Sequence, residues 1–237
     1  MSLVNVSGDA EQKVVAVFGL QVDHNTMMDA SKLLRICLSQ GDMKKVVALP
    51  KEDGVSAVSI LGALLAKVDD GSSSQLLNQL ADAITSSGDA STASKEVALL
   101  ATLYNMTTEP ASKVGLLVRI IKVAASRDPS LLESNTSALG NWMNAARLSG
   151  MLDEWEIAAA GRRELYSAAA EGAPTALVKQ QFTLLVVETF SKSDVDANGL
   201  EYAKKAAIGA IQDPVSLFVQ QRKLLSLPAI EALGQNE

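Results

Sequence analysis

The chain has 237 residues, a formal net charge of −6 and one cysteine, and 48% of it is hydrophobic although only 4% is aromatic. That composition supports a sizeable core of Ala, Leu, Val and Ile, suited to close helix-on-helix packing. It excludes a disulfide framework and a Cys/His zinc site, which need more than one cysteine and one histidine. An acidic balance also argues against a broad nucleic-acid footprint, which needs clustered Lys and Arg.

No basic stretch followed by an apolar run opens the sequence, so no secretory signal is expected. The short apolar runs at Val114–Val118 and Thr183–Val187 are too brief to span a bilayer. Cys37 without a partner fits a reducing, cytoplasmic setting. There the three Asn-x-Ser/Thr triplets at Asn5, Asn105 and Asn135 are chance matches.

In chain order, Asn25-Thr26 precedes a stripe of Ala30, Leu34, Cys37 and Leu38 closed by Gly41, which predicts an amphipathic helix. Val58, Leu61, Leu65 and Val68 predict a second over about Val55–Val68, ending at Asp69-Asp70-Gly71. Ser72-Ser73-Ser74 caps a third, with Leu76, Leu77, Leu80 and Ile84 on one face. Thr85–Thr92 reads as a loop, and a helix follows over about Ser94–Asn105.

Pro110 starts the strongest helix, where its missing N–H costs nothing. Val114, Leu117, Val118, Ile121 and Ala125 form one face, and Leu116, Ile120, Val123 and Ala124 widen it. Arg119 and Lys122 hold the rest. An arc this wide predicts a helix buried by more than one neighbour. Asp128-Pro129 and Asp213-Pro214 read as N-cap and N1 pairs. Leu152-Asp153-Glu154-Trp155-Glu156-Ile157 reads as a helix start: Asp153 caps, Glu156 reaches back and Leu152 staples onto Ile157. That helix should end near Gly172 and Pro174. Another spans about Thr175–Phe190, and Asn198 with Glu201 opens the next. About ten helices joined by short loops predict an all-α fold, a right-handed α-solenoid of antiparallel hairpins, in one domain over residues 1–237. No tetratricopeptide or ankyrin consensus repeats.

Candidate chemistry is sparse. His24 lies in an Asp-His-Asn loop and reads as solvated, with no oriented partner to make it a general base. Cys37 falls on an apolar stripe and should be a buried, inert thiol. No Gly-x-Ser-x-Gly elbow, phosphate-binding loop or dinucleotide turn is present. The paired carboxylates Asp69-Asp70 and Glu154/Glu156 have structural readings at helix ends. Arg162-Arg163, Lys204-Lys205 and Arg222-Lys223 could meet RNA or an acidic partner, but a solvated helix face is the simpler reading. Trp142 and Trp155 flank a turn at Gly150 and read as packing between two helices, or as anchors for a partner. The expectation is a protein without catalytic, metal or cofactor-binding residues.

Leu99-Leu100-Ala101-Thr102-Leu103-Tyr104-Asn105, then Ile120-Ile121-Lys122-Val123-Ala124-Ala125, together with Ala206–Pro214, Leu217-Phe218 and Leu224–Leu233, carry a family resemblance. In order and spacing they resemble the subunit M family of eukaryotic translation initiation factor 3. These are PCI-domain proteins, related to subunits of the COP9 signalosome and the proteasome lid. The resemblance covers about Leu99–Leu233. It implies a PCI-type helical-repeat array in a cytoplasmic, non-catalytic scaffold subunit. Its partners would be other initiation factor 3 subunits and, through them, the small ribosomal subunit, with no direct nucleic-acid or membrane contact. In that family a winged helix comes after the Leu-Pro-Ala-Ile segment. The sequence ends at Glu237, so the resemblance implies the repeat portion alone, with apolar surface exposed around Phe218, Leu224, Leu225 and Ile230.

Overall fold

Caps and packing set the helix boundaries in the computed structural model, which describes residues 9–21, 29–40, 43–68, 71–86, 89–133, 139–214 and 224–235. Among them are twelve α-helices, four short 3-10 turns and no strand. The helices are α1 (Asp9–Phe18), α2 (Ala30–Gln40), α3 (Met43–Ala48), α4 (Lys51–Leu65), α5 (Ser73–Thr85), α6 (Ala93–Met106), α7 (Pro110–Arg127), α8 (Ala145–Glu154), α9 (Ala159–Glu171), α10 (Ala176–Glu188), α11 (Ala197–Gln212) and α12 (Pro228–Gly234). The fold is all-α. The chain divides into two compact units, Met1–Val123 and Ala124–Glu237.

In the first unit α4 is the central element, packed by α1, α2, α3 and α6, while α5 lies against α2, α3 and α6. Ala57, Val58, Leu61 and Leu64 of α4 are buried. Gly54 lets α4 approach closely: a Cβ there would stand 3.2 Å from the Val46 carbonyl oxygen and 3.4 Å from a Leu99 methyl. The cap of α2 is Asp29, whose carboxylate accepts the Lys32 N–H at 3.0 Å. The expected Asn25-Thr26 signal lies outside the described residues. On α7 the wide apolar arc is buried from Val114 to Ala124, and Arg119 on its open side meets Asp82 of α5 at 2.9 Å.

In the second unit the helices pack in series. Helix α9 lies on α10, α10 on α11 and α11 on α12, with α8 and α12 also reaching α10. Six successive residues of α10, Phe182 to Val187, are buried. A helix apolar all round must be covered all round. Its neighbours offer small faces for this, with Ala168, Ala169 and Ala170 on α9 and Ala203, Ala206 and Ala210 on α11. The Tyr166 and Phe182 rings sit 6.4 Å apart. Thr175 caps α10 through the Val178 N–H, and Asp196 caps α11 through the Gly199 N–H at 2.7 Å. The cap of α11 thus stands two residues before the expected Asn198. Pro129 opens a 3-10 turn, Pro129–Leu132, rather than an α-helix. Asp213 closes α11, and residues 215–223, where a helix opened by Pro214 would run, lie outside the described residues.

The segment Leu152–Ile157 corrects the sequence reading, because it ends a helix instead of starting one. Glu156 has a φ of +51°, in the left-handed region. The Ile157 N–H donates to the Leu152 carbonyl and the Glu156 N–H to the Asp153 carbonyl, both at 3.1 Å. That pair of bonds is a Schellman stop for α8. An apolar residue on each side of the stop gives the same pattern as a staple at a start, so side chains alone do not separate the two. The α9 helix begins only at Ala159, and it ends at Gly172 as expected.

Candidate functional site

Two arginines of the expected basic pairs are spent inside the fold. Arg162, at the start of α9, donates through Nε to the Ile157 carbonyl at 2.6 Å and through Nη2 to the Leu152 carbonyl at 3.0 Å. Its Nη1 is bound by Asp153. The guanidinium therefore covers the C-terminal end of α8, where carbonyls lack helical partners and a cation is favoured. Asp153 is part of this end and caps no helix.

Arg163 reaches the other way. Its Nε donates to Thr189 Oγ1 at 3.1 Å, its Nη2 to the Thr189 carbonyl at 3.2 Å and to Asp194 Oδ2 at 2.8 Å. Its plane lies 3.6 Å from the centre of the Phe190 ring. The guanidinium beside Asp194, helped by the Ser191 hydroxyl, holds that carboxyl down to about 2. Neither the RNA reading nor the solvated-face reading fits these two residues. Lys205 pairs with Glu201 at 2.6 Å, one helical turn away. Arg222 and Lys223 lie outside the described residues.

The other candidates are scattered. Cys37 is 1% exposed on the inner side of α2, and burial pushes its thiol up to about 12, far from a reactive thiolate. His24 and the Asp69-Asp70 pair lie outside the described residues. Glu154 and Glu156 are exposed at the α8 stop. Trp142 and Trp155 are half-buried at either end of α8, and Gly150 lies inside that helix, so the expected turn between them does not exist. Glu96 is wholly buried in the first turn of α6, accepting the Thr92 hydroxyl at 2.8 Å. Among the described residues no three His, Cys, Asp or Glu side chains converge as a metal site. No helix among them is long and apolar enough to cross a membrane.

Exposed apolar surface is the stronger signal, and apart from Met106 the large exposed apolar side chains among the described residues lie in the second unit. Leu225 is 83% exposed and Ile211 80%, with Ile208 on the same face of α11 and Leu177 near the start of α10 also open. Of the four residues expected there, Leu225 is exposed and Ile230 half-exposed. Leu224 is buried, and Phe218 lies outside the described residues.

The same unit holds an open cleft of about 840 Å³ between α8, with the 3-10 turn Gly140–Met143 before it, and α10. One wall carries Asn141, Asn144, Ser149 and Gly150, and the other Thr175, Val178, Gln181 and Leu185. Sequence reasoning missed this cleft. Uncharged amides and hydroxyls look like ordinary solvated residues until two helices bring them face to face. A smaller cleft of about 260 Å³ in the first unit lies over Leu65, Leu77, Leu103 and Met106. At its edge Ser74 and Ser112 both donate to Glu109, at 2.9 Å and 2.5 Å.

Among the described residues the protein is all-helical, with large aliphatic side chains open at Ile208, Ile211 and Leu225 and an open cleft between α8 and α10. No family model matches the chain, and no curated protein matches it.

Proposed function

We propose that this chain is a non-catalytic scaffold subunit of the eukaryotic translation initiation factor 3 assembly, acting in the cytoplasm through protein–protein contacts. The observation that carries the scaffold reading is the serial packing of α9 to α12. Helices stacked on their sequence neighbours build the extended faces that repeat proteins use for binding. It supports a right-handed α-solenoid of the PCI type. The resemblance of Leu99–Asn105 on α6, Ile120–Ala125 on α7, Ala206–Pro214 at the end of α11 and Leu224–Leu233 leading into α12 supports the particular assembly. Large aliphatic side chains left open at Ile208, Ile211 and Leu225 support contact with neighbouring subunits.

Affinity capture of the full chain from a eukaryotic cell lysate tests this. Initiation factor 3 subunits and small ribosomal subunits should be recovered together. Recovery of only signalosome or proteasome-lid subunits overturns the assembly and favours a scaffold in one of those complexes.

A further inference from the structure

The cleft between α8 and α10 has a chemistry of its own. Its volume, about 840 Å³, lies within the ~300–1,000 Å³ of built ligand sites. The only ionisable side chain on its lining is Asp153, and Arg162 already holds that carboxylate. A phosphate, nucleic acid or strongly charged peptide finds no free countercharge among the described residues there.

The groups that do line it are mostly neutral: Asn144 and Thr175 cap helices, and others are uncommitted. The side chains of Asn141, Ser149 and Gln181 make no hydrogen bond among the described residues, although Gln180 beside it donates to the Ala206 carbonyl at 3.0 Å. A primary amide carries a donor and an acceptor side by side. So does each peptide unit, through its N–H and C=O. Asn141 and Gln181 stand on opposite walls, and Val178 and Leu185 supply apolar lining. Gly150 leaves its wall open: a Cβ there would meet nothing within 4 Å.

We infer that this cleft binds an uncharged, extended peptide segment of a partner chain, with Asn141 and Gln181 hydrogen-bonding its main chain and Val178 and Leu185 receiving its apolar side chains. The inference rests on the scaffold reading in that the segment belongs to another protein.

The test uses the full chain and capped synthetic peptides of about six residues, about 20 Å long when extended. One set is uncharged and carries Leu, Ala and Ser. The second adds Glu and the third adds Lys. The fourth repeats the first with N-methylated main-chain nitrogens. Fluorescence anisotropy should show the first set bound, and the other three weakened at least tenfold. Gln181→Leu and Gly150→Leu should each weaken binding at least tenfold with unchanged circular dichroism and no fall in thermal midpoint, the helix-interior glycine being if anything stabilised by Leu, while Ile211→Ser leaves binding intact. Binding of no set, equal binding of the N-methylated set, or indifference to both cleft variants overturns the inference. Peptide binding without capture of initiation factor subunits overturns the assembly and keeps the cleft; the reverse overturns the cleft alone.

Discussion

Replacing Glu156 by glycine should make the protein more stable, although it removes a side chain and adds backbone freedom. Glu156 holds a φ of +51° at the end of α8. For a residue with a Cβ that conformation costs roughly 1–2 kcal/mol, and glycine adopts it freely. Against this, glycine's greater freedom in the unfolded chain costs roughly 0.5–1 kcal/mol. The Glu156 side chain is exposed, so little packing is lost. The net expectation is a gain of about 0.5–1 kcal/mol, a rise of roughly 1–4 °C in thermal midpoint for a chain of this size. Glu156→Val should move the other way, because a β-branched residue is strained at positive φ. Differential scanning calorimetry of the three proteins reads both shifts. The sign is diagnostic. Were Leu152–Ile157 a helix start, glycine at position 156 would break a capping box inside a helix and lower stability by about 1 kcal/mol. A lowered midpoint for Glu156→Gly therefore refutes the helix stop.

Ile121 is 2% exposed on α7, so Ile121→Asp buries a carboxylate with no partner and should cost upwards of about 3 kcal/mol; an unchanged urea midpoint would show that this face is not internal. Asp194 is held at about 2, below its ordinary 3.8, so its stabilising effect is complete above about pH 4 and disappears as pH falls through 2. The thermal midpoints of wild type and Asp194→Asn should therefore differ at pH 6 and converge towards pH 2, and a constant difference would sink the Arg163–Asp194 pairing as its cause.

The apolar periodicity made most long helices legible. Helix α7 is the clearest case: every residue assigned to its inner arc is buried except Ala125, which is half-exposed. Helix α10 was legible as a helix, though not as the covered middle of a stack, until Phe182–Val187 met the alanine faces of α9 and α11. Helices α1, α3 and α8 were not legible. Helix α3 has only six residues, fewer than two turns, too short for a 3.6-residue pattern to stand out. For α8 the obstacle was symmetry: Leu152 and Ile157 bracket a stop as they would a start, and only the backbone at Glu156 separates the two. The roles of Arg162 and Arg163 were hidden for a different reason. Half of their acceptors are main-chain carbonyls, at Leu152, Ile157 and Thr189, and a carbonyl leaves no mark in side-chain sequence. The cleft was equally silent, since Asn141 and Gln181 become a pair only through tertiary packing.

The serial packing of α9 through α12 has a kinetic side. Each of these helices finds its main neighbour within the next hairpin of the chain, so little loop closure precedes the gain from contact. Such an arrangement can assemble outward from α10, the helix covered on both sides, without waiting for distant segments. It should come apart in the opposite order. Helix α12, seven residues long and tied by Lys192 to Glu231 at 3.1 Å across an exposed surface, opens first. Opening α12 would uncover the surfaces of α11 and α10 on which it packs.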